Sequence, residues 1–441
     1  MINKYKINGG KKLSGEVRVS GAKNAVLKAL IAACLTDEEV VIENVPLISD
    51  LHVMLELLEG IGGKYTLIDH TLKIKLEKIT SVKLPLDIGA KTRTSSMFLA
   101  PLLSREKEAI IPNPGGCRIG ARPIDRHIEG LMKMGVETVY DSEDGYFHAK
   151  TKGLKGAVYR FEKNTHTGTE TLLMAAVLAK GITVLENAAQ EPEVEDLIYL
   201  LNAMGAKITR PEGRTIKIEG VEKLHGATYS VMPDRNEVVT FAIASALTGG
   251  QIWIKNVIMD DIKAFLKEFK KAGGSWEEGA SGVRFFIKEK IKPLDVITAP
   301  HPGFMTDWQG PWAVLMTQAK GISRIHETVY ENRFSYVEEL EKMGAKMKMY
   351  KVRVKDPEKF YNFNFDGEDG RRQGLRIYGK TKLHNAVLSI ADLRAGATLV
   401  LASLLARGES VIYGIEYLER GYESFDKRLR NLGADVVVEE E

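Results

Sequence analysis

One ending recurs six times along the chain and limits its possible folds more than any other feature. An amphipathic run is followed by Ile, Met, Ala or Leu, then by glycine, then by a short strand-like stretch. The six are Ile61-Gly62-Gly63, Met134-Gly135-Val136, Met204-Gly205-Ala206, Ala272-Gly273-Gly274, Met343-Gly344-Ala345 and Leu432-Gly433-Ala434. Each glycine stands where a helix hands over to a left-handed residue, a conformation that costs glycine nothing sterically. Successive glycines are 73, 70, 68, 71 and 89 residues apart. Five units thus share a length of about 70, and the last interval holds an insertion that we place between about 350 and 380.

Every unit also contains a helix that is apolar nearly all round: Ala25 to Leu35, Met97 to Leu103, Leu172 to Ala179, Val238 to Leu247, Trp312 to Ala319 and Ala397 to Ala406. Such helices belong in a core. They fall short of the roughly 20 residues a bilayer span needs, so no membrane insertion is expected. Strand-like runs such as Val40-Val-Ile-Glu43, Ile182-Thr-Val-Leu-Glu186 and Gln251-Ile-Trp-Ile254 follow them. An α/β protein is expected, with two domains of three units each, buried helices inside and sheets with amphipathic helices outside. The domain change is placed near Met232-Pro233-Asp234. One domain takes 23–232, the other 1–22 plus 233–441.

Chemistry concentrates first in Pro114-Gly-Gly-Cys-Arg-Ile-Gly-Ala-Arg-Pro123, where Cys117 stands on a glycine-rich segment within a few residues of Arg118 and Arg122. Nearby cations favour thiolate and attract anions. With only Cys34 and Cys117 in 441 residues, a disulfide framework is not expected. The start Met-Ile-Asn-Lys-Tyr-Lys lacks the apolar core of a secretion signal, so the cytoplasm is the expected compartment. The 62 basic and 59 acidic side chains nearly cancel, so no nucleic-acid partner is implied, and any anion site must be local. Zinc-type cysteine pairs, a Walker loop and HExxH are absent from the sequence, and neither a cofactor nor a metal is expected.

Cations stand at four of the six starts of the buried helices: Lys23 in Ser20-Gly-Ala-Lys-Asn24, Arg93 in Thr92-Arg-Thr-Ser95, Arg235 in Pro233-Asp-Arg235 and Arg394 in Ala391-Asp-Leu-Arg394. Unit five offers a carboxylate instead, Asp307. Helix starts bind anions through unpaired N–H groups. Several cations, one thiol and one carboxylate suit a ligand with several phosphates or carboxylates and a reaction that moves protons.

These segments, with Ile124-Asp-Arg-His127, Glu186-Asn-Ala-Ala-Gln-Glu-Pro-Glu193, Pro302-Gly-Phe-Met-Thr-Asp307, Glu327-Thr-Val-Tyr-Glu-Asn-Arg-Phe334 and Arg420-Gly-Tyr-Glu423, are spread along nearly the whole length of the chain. Together they resemble the UDP-N-acetylglucosamine 1-carboxyvinyltransferase family of enolpyruvyl transferases. The resemblance implies a two-domain inside-out α/β barrel with the active site in the interdomain cleft. It also implies transfer of the enolpyruvyl group of phosphoenolpyruvate to the 3'-hydroxyl of UDP-N-acetylglucosamine, which opens peptidoglycan synthesis, with no obligatory protein partner. On this resemblance Cys117 is the proton donor and the target of fosfomycin-type epoxides, and Asp307 takes the sugar hydroxyl's proton. Lys23, Asn24, Arg122 and Arg420 hold phosphoenolpyruvate, which Arg394 approaches on closure. Arg93, Arg122, Pro123, Ile124, Asp125, Arg126, Asp307 and Val329 hold the UDP-sugar.

The chain departs from the family pattern in places. Thr165-His-Thr-Gly-Thr-Glu170 stands where the family usually shows Ser-Val-Gly-Ala-Thr near the uridine diphosphate. We read His166 there as a cap of the following helix, with a phosphate ligand as the alternative. Arg118 replaces a small or uncharged residue, and the insertion, with Phe360-Tyr-Asn-Phe-Asn-Phe365, reads as a locally packed surface loop. Two other readings are a 3-phosphoshikimate enolpyruvyl transferase, against which the Cys117 segment and Glu331-Asn-Arg333 speak, and an inactive UDP-sugar-binding sensor or scaffold.

Overall fold

In the computed structural model, which describes residues 3–116, 119–120, 123–280, 282–365 and 370–440, all six repeat-ending glycines have positive φ, from 88° at Gly344 to 98° at Gly62. They end helices as the sequence suggests. After the first, the N–H groups of Gly62 and Gly63 donate to the Glu59 and Leu58 carbonyls at 2.9 Å, which occupies carbonyls the helix itself leaves unpaired.

The chain divides into two compact units. One comprises Met1–Ser20, Cys117–Arg122 and Pro233–Glu441, the other Gly21–Gly116 and Pro123–Met232. Each has its own apolar core. The second unit is built around the helices Lys23–Ala33, Leu99–Glu106 and His166–Ala176, the first around Arg235–Thr248, Gln309–Thr317 and Leu393–Leu405. Burial on every side of Val238 to Leu247, within the helix Arg235–Thr248, is what its nearly all-round apolar sequence requires. Six sheets, three to each unit, surround these helices among the described residues. Amphipathic helices such as Ser49–Gly60, Pro192–Ala203 and Lys263–Lys271 bury one face only. None of the described helices is long and apolar enough to cross a membrane.

The first twenty residues join the first unit through sheet pairing. Asn3–Asn8 lies between Glu409–Tyr413 and Asp435–Glu440, antiparallel to both, and Ser14–Arg18 pairs in parallel with Gln251–Lys255. The insertion is residues 351–373, between the antiparallel strands Lys346–Tyr350 and Gly374–Gly379. Its described residues are packed locally, with Tyr361 and Phe363 buried.

Two buried helices start in an unusual way that sets the positions of Arg93 and Asp307. The 3-10 turns Arg93–Phe98 and Thr306–Trp308 precede the α-helices Leu99–Glu106 and Gln309–Thr317, and each α-helix has proline at its third residue, Pro101 or Pro311. Proline has no N–H to give, and the third helical residue is the last that needs none. Leu99 and Gln309 are therefore the earliest α-helical starts these prolines allow. The chain ahead of them winds tighter and carries the charged residue with it.

Candidate active site

In the unit Gly21–Gly116 with Pro123–Met232, Lys23 is the first residue of its helix and reaches Asp50 on the outer helix Ser49–Gly60, Nζ to Oδ2 2.7 Å. Both side chains are nearly buried. The approach of chain to chain at Gly21 demands glycine, because a Cβ there would lie 1.8 Å from the Asn44 carbonyl oxygen. Asn24 follows in the same first turn, and its carbonyl oxygen accepts from Lys28 Nζ at 2.5 Å.

Arg93 opens its 3-10 turn and donates from Nη2 to the Pro123 carbonyl at 2.9 Å, so two expected UDP-sugar residues are in direct contact. Ile124 is buried as the residue before the helix Asp125–Lys133. Asp125 is exposed in its first turn and Arg126 is half-buried. His127 shares a 3.0 Å hydrogen bond with Thr167 Oγ1. Burial, with Arg93 and Arg126 adding positive charge nearby, pushes the His127 pKa down to about 3 and keeps the ring neutral.

At the Thr165–Glu170 departure the structure differs from the expectation for His166. Thr165, not His166, caps the helix, its hydroxyl accepting from Gly168 N–H at 3.2 Å. His166 is the first helical residue and turns back to Glu170, Nε2 to Oε1 3.0 Å, as i, i+4 geometry allows. Glu170 is fully buried and its other oxygen faces Lys28 Nζ at 3.4 Å. Burial opposes charge on His166, but the Glu170 carboxylate outweighs it and holds the pKa above the ordinary value. Neither Lys28 nor Glu170 is conspicuous in the sequence. Their helical spacings to Asn24 and His166 are the signal that could have found them.

Cys117, Arg118 and Arg122 lie outside the described residues. On the same segment, Ile119 and Gly120 are grouped with the unit that holds Pro233–Glu441. The Ile119 carbonyl accepts from Asn332 N–H at 3.0 Å, and Gly120 lies against Glu331, whose Oε2 would be 1.9 Å from a Cβ there. Cys34 is buried and its thiol is pushed up to about 12 by burial, which removes it as a nucleophile.

In the unit containing Pro233–Glu441, Asp307 stands between two arginines. Its Oδ2 accepts from Arg394 Nε at 3.0 Å and its Oδ1 from Arg333 Nη2. Burial raises its pKa, but Arg394 and Arg333 overcome that and hold the carboxyl well below the usual range. Arg394 is fixed in turn. Asp392 caps its helix, Oδ1 accepting from Arg394 and Ala395 N–H at 2.9 and 3.1 Å, and the guanidinium carbon lies 5.5 Å from the centre of the Tyr422 ring. Arg394 Nη1 is buried without a hydrogen bond among the described residues. Arg420, half-buried, ends the short helix Glu416–Glu419 two residues before Tyr422.

Val329 is held by a residue its own motif contains. Buried Glu327 accepts at Oε1 from Val329 and Tyr330 N–H, at 2.7 and 3.0 Å, and at Oε2 from Thr306 Oγ1 and Gln309 Nε2, at 2.8 and 2.5 Å. One carboxylate thus fixes Val329 and the turn that carries Asp307. Glu327 and Arg333 both lie in the quoted Glu327–Phe334 stretch, but nothing local in sequence says that they reach Asp307's turn.

The described residues thus group Arg93 with Pro123–Arg126, and Asp307 with Arg333, Arg394 and the Glu327–Val329 turn. Comparison with known proteins gives these groups a context. Residues 7–429 match the family model of EPSP synthase (3-phosphoshikimate 1-carboxyvinyltransferase). The UDP-N-acetylglucosamine 1-carboxyvinyltransferase of Koribacter versatilis is 43% identical over 439 residues, 99% of this chain and 96% of that one. The enzyme of the same name from Bartonella henselae is 42% identical over 450 residues, 99% of each chain. Among solved structures, the enolpyruvyl transferase NikO from Streptomyces tendae superposes with a TM-score of 0.86 at 25% identity over 99% of both chains. EPSP synthase from Acinetobacter baumannii, at 18% identity and TM-score 0.75, shares the fold. The chain therefore belongs to the enolpyruvyl transferases and, within them, to the UDP-N-acetylglucosamine 1-carboxyvinyltransferase family.

Proposed function

We propose that this protein transfers the enolpyruvyl group of phosphoenolpyruvate to the 3'-hydroxyl of UDP-N-acetylglucosamine, releasing phosphate, in the cytoplasm, as the first committed step of peptidoglycan synthesis. The observation that carries the reading is the Asp307 carboxylate between Arg333 and Arg394, on a chain 43% identical to an enzyme of that name.

The acidity of Asp307 sets the order of events. A carboxylate held so far below its ordinary pKa is a weak base and cannot take a proton from a resting hydroxyl. It can take one from an oxygen that has begun to bond to a cationic carbon. Protonation of C3 of phosphoenolpyruvate by Cys117 therefore comes first or together with attack, leaving C2 electron-poor. The sugar oxygen forms its bond to C2 and its proton passes to Asp307. Return of a proton from C3 to the Cys117 thiolate and cleavage of the C2–O bond to phosphate then restore the double bond and release inorganic phosphate. Arg394 has a buried N–H to give to the substrate anion. Turning from Asp307 toward that anion leaves Asp307 more basic when the proton arrives.

Lys23, Asn24, Arg122 and Arg420 are assigned to phosphoenolpyruvate. Arg93, Arg122 to Arg126 and Val329 are assigned with Asp307 to the UDP-sugar. The test is phosphate release from phosphoenolpyruvate with UDP-N-acetylglucosamine, with shikimate 3-phosphate and with neither, in wild type and Asp307→Ala. Release with the UDP-sugar alone, lost in the variant, is expected. Release with shikimate 3-phosphate, or with no acceptor, sinks the assignment.

A further inference from the structure

The insertion 351–373 leaves and rejoins the sheet where the Glu327–Asn332 segment begins. Its flanking strand starts at Gly374, opposite His326, the last residue of the strand Gly321–His326. From there its residues grip that segment at several points. Asn362 N–H donates to the Thr328 carbonyl at 2.8 Å, and the buried Tyr361 hydroxyl shares a 3.1 Å hydrogen bond with His326 Nε2. Phe360 stacks on the His326 ring at 5.2 Å, and Tyr361 stacks on Phe363 and Phe365 at 4.8 and 5.7 Å. At the far end, buried Gln373 accepts Glu327 N–H at its carbonyl, 2.8 Å, and donates from Nε2 to the Glu331 carbonyl, 3.0 Å.

The gripped segment carries Val329 at its centre and Asn332, whose N–H meets Ile119, at its end. A surface loop packed only for its own sake would spend these groups within itself. Here two backbone hydrogen bonds and two side-chain ones go to four residues at or just beyond the strand end, His326, Glu327, Thr328 and Glu331.

We propose that the insertion is a brace for sugar-nucleotide binding. Tyr361 and Gln373 are positioning residues that hold Glu327–Asn332 in the one shape that presents Val329 to the UDP-sugar. This rests on the activity proposed above. Tyr361→Phe removes one hydroxyl and keeps the ring stack, and Gln373→Leu removes one amide and keeps the volume. Each is expected to raise KM for UDP-N-acetylglucosamine about threefold to tenfold, the loss of one net hydrogen bond's worth of positioning, with kcat and KM for phosphoenolpyruvate within about twofold. A preparation that is partly unfolded lowers apparent kcat without moving KM, so the split separates positioning from folding. Unshifted KM for the UDP-sugar in both variants, or an equal rise in both KM values, overturns the brace while wild-type activity leaves the reaction standing. A wild type that releases no phosphate with the UDP-sugar overturns both.

Discussion

Lys28 and Glu170 offer a sharp test of how the second unit is held together. Their side chains are 4% and 0% exposed, 3.4 Å apart, on two helices of the core. At an effective dielectric of about 20 the pair attracts by about 5 kcal/mol, which offsets the cost of taking both ions out of water. Removing one partner leaves the other charge buried, so Lys28→Met and Glu170→Leu should each lose about 3–5 kcal/mol of unfolding free energy. The double variant leaves no such charge buried and should lie near wild type or above it, a coupling of at least about 3 kcal/mol. The cost of Lys28→Met should also grow with pH. His166 shares the carboxylate at 3.0 Å and its pKa is raised, so its compensating charge is present below the ordinary histidine pKa and fades as pH rises through the folded value. Urea unfolding followed by circular dichroism reads the change. Trp253, Trp276, Trp308 and Trp312 all lie in the other unit, so their fluorescence transition should stay in place. Additive losses in the double variant would refute the argument.

Other tests follow from single contacts. His127, pushed down to about 3, is neutral in the folded chain while the unfolded chain takes up its proton, so stability falls as pH drops from about 6.5 toward 3. By pH 4.5 the loss should be about 2–3 kcal/mol, and His127→Gln should flatten that slope in acid-unfolding curves, an unchanged slope counting against a buried neutral ring. Arg333→Met removes one of the two cations on Asp307. It should lower kcat/KM at least about tenfold and move its acid limb to higher pH, and an unmoved limb means Arg333 does not set the acidity of Asp307. Gly115→Ala would place a Cβ 1.8 Å from the Ala90 carbonyl oxygen, so the backbone at the base of the Cys117 segment must shift. Alkylation of Cys117 by a fosfomycin-type epoxide, followed by intact mass, should slow, and wild-type rates would show that the contact gives way harmlessly.

What could be read from the chain alone was what is local or periodic. Six glycines at left-handed helix ends, the apolar helices between them and the short motifs at helix starts are each written within a few residues, because helix capping and burial act over one or two turns. The motifs also mark Lys23, Arg93, Asp307 and Arg394. Which groups those residues would meet was decided by tertiary structure. Asp50 comes to Lys23 from the next helix, Glu170 to Lys28 from 142 positions along the chain, and Arg394 to Asp307 from 87. The brace joins Tyr361 to His326 and Gln373 to Glu331 through an insertion that its own sequence marks only as aromatic. His166 shows the difference most directly. Its place beside a helix start was visible, but Thr165 took the cap and Glu170 took the imidazole. A buried charge is stable only with its partner. Partners are chosen by which helices pack together, and a core of similar apolar helices leaves that choice to long-range fit rather than to local pattern.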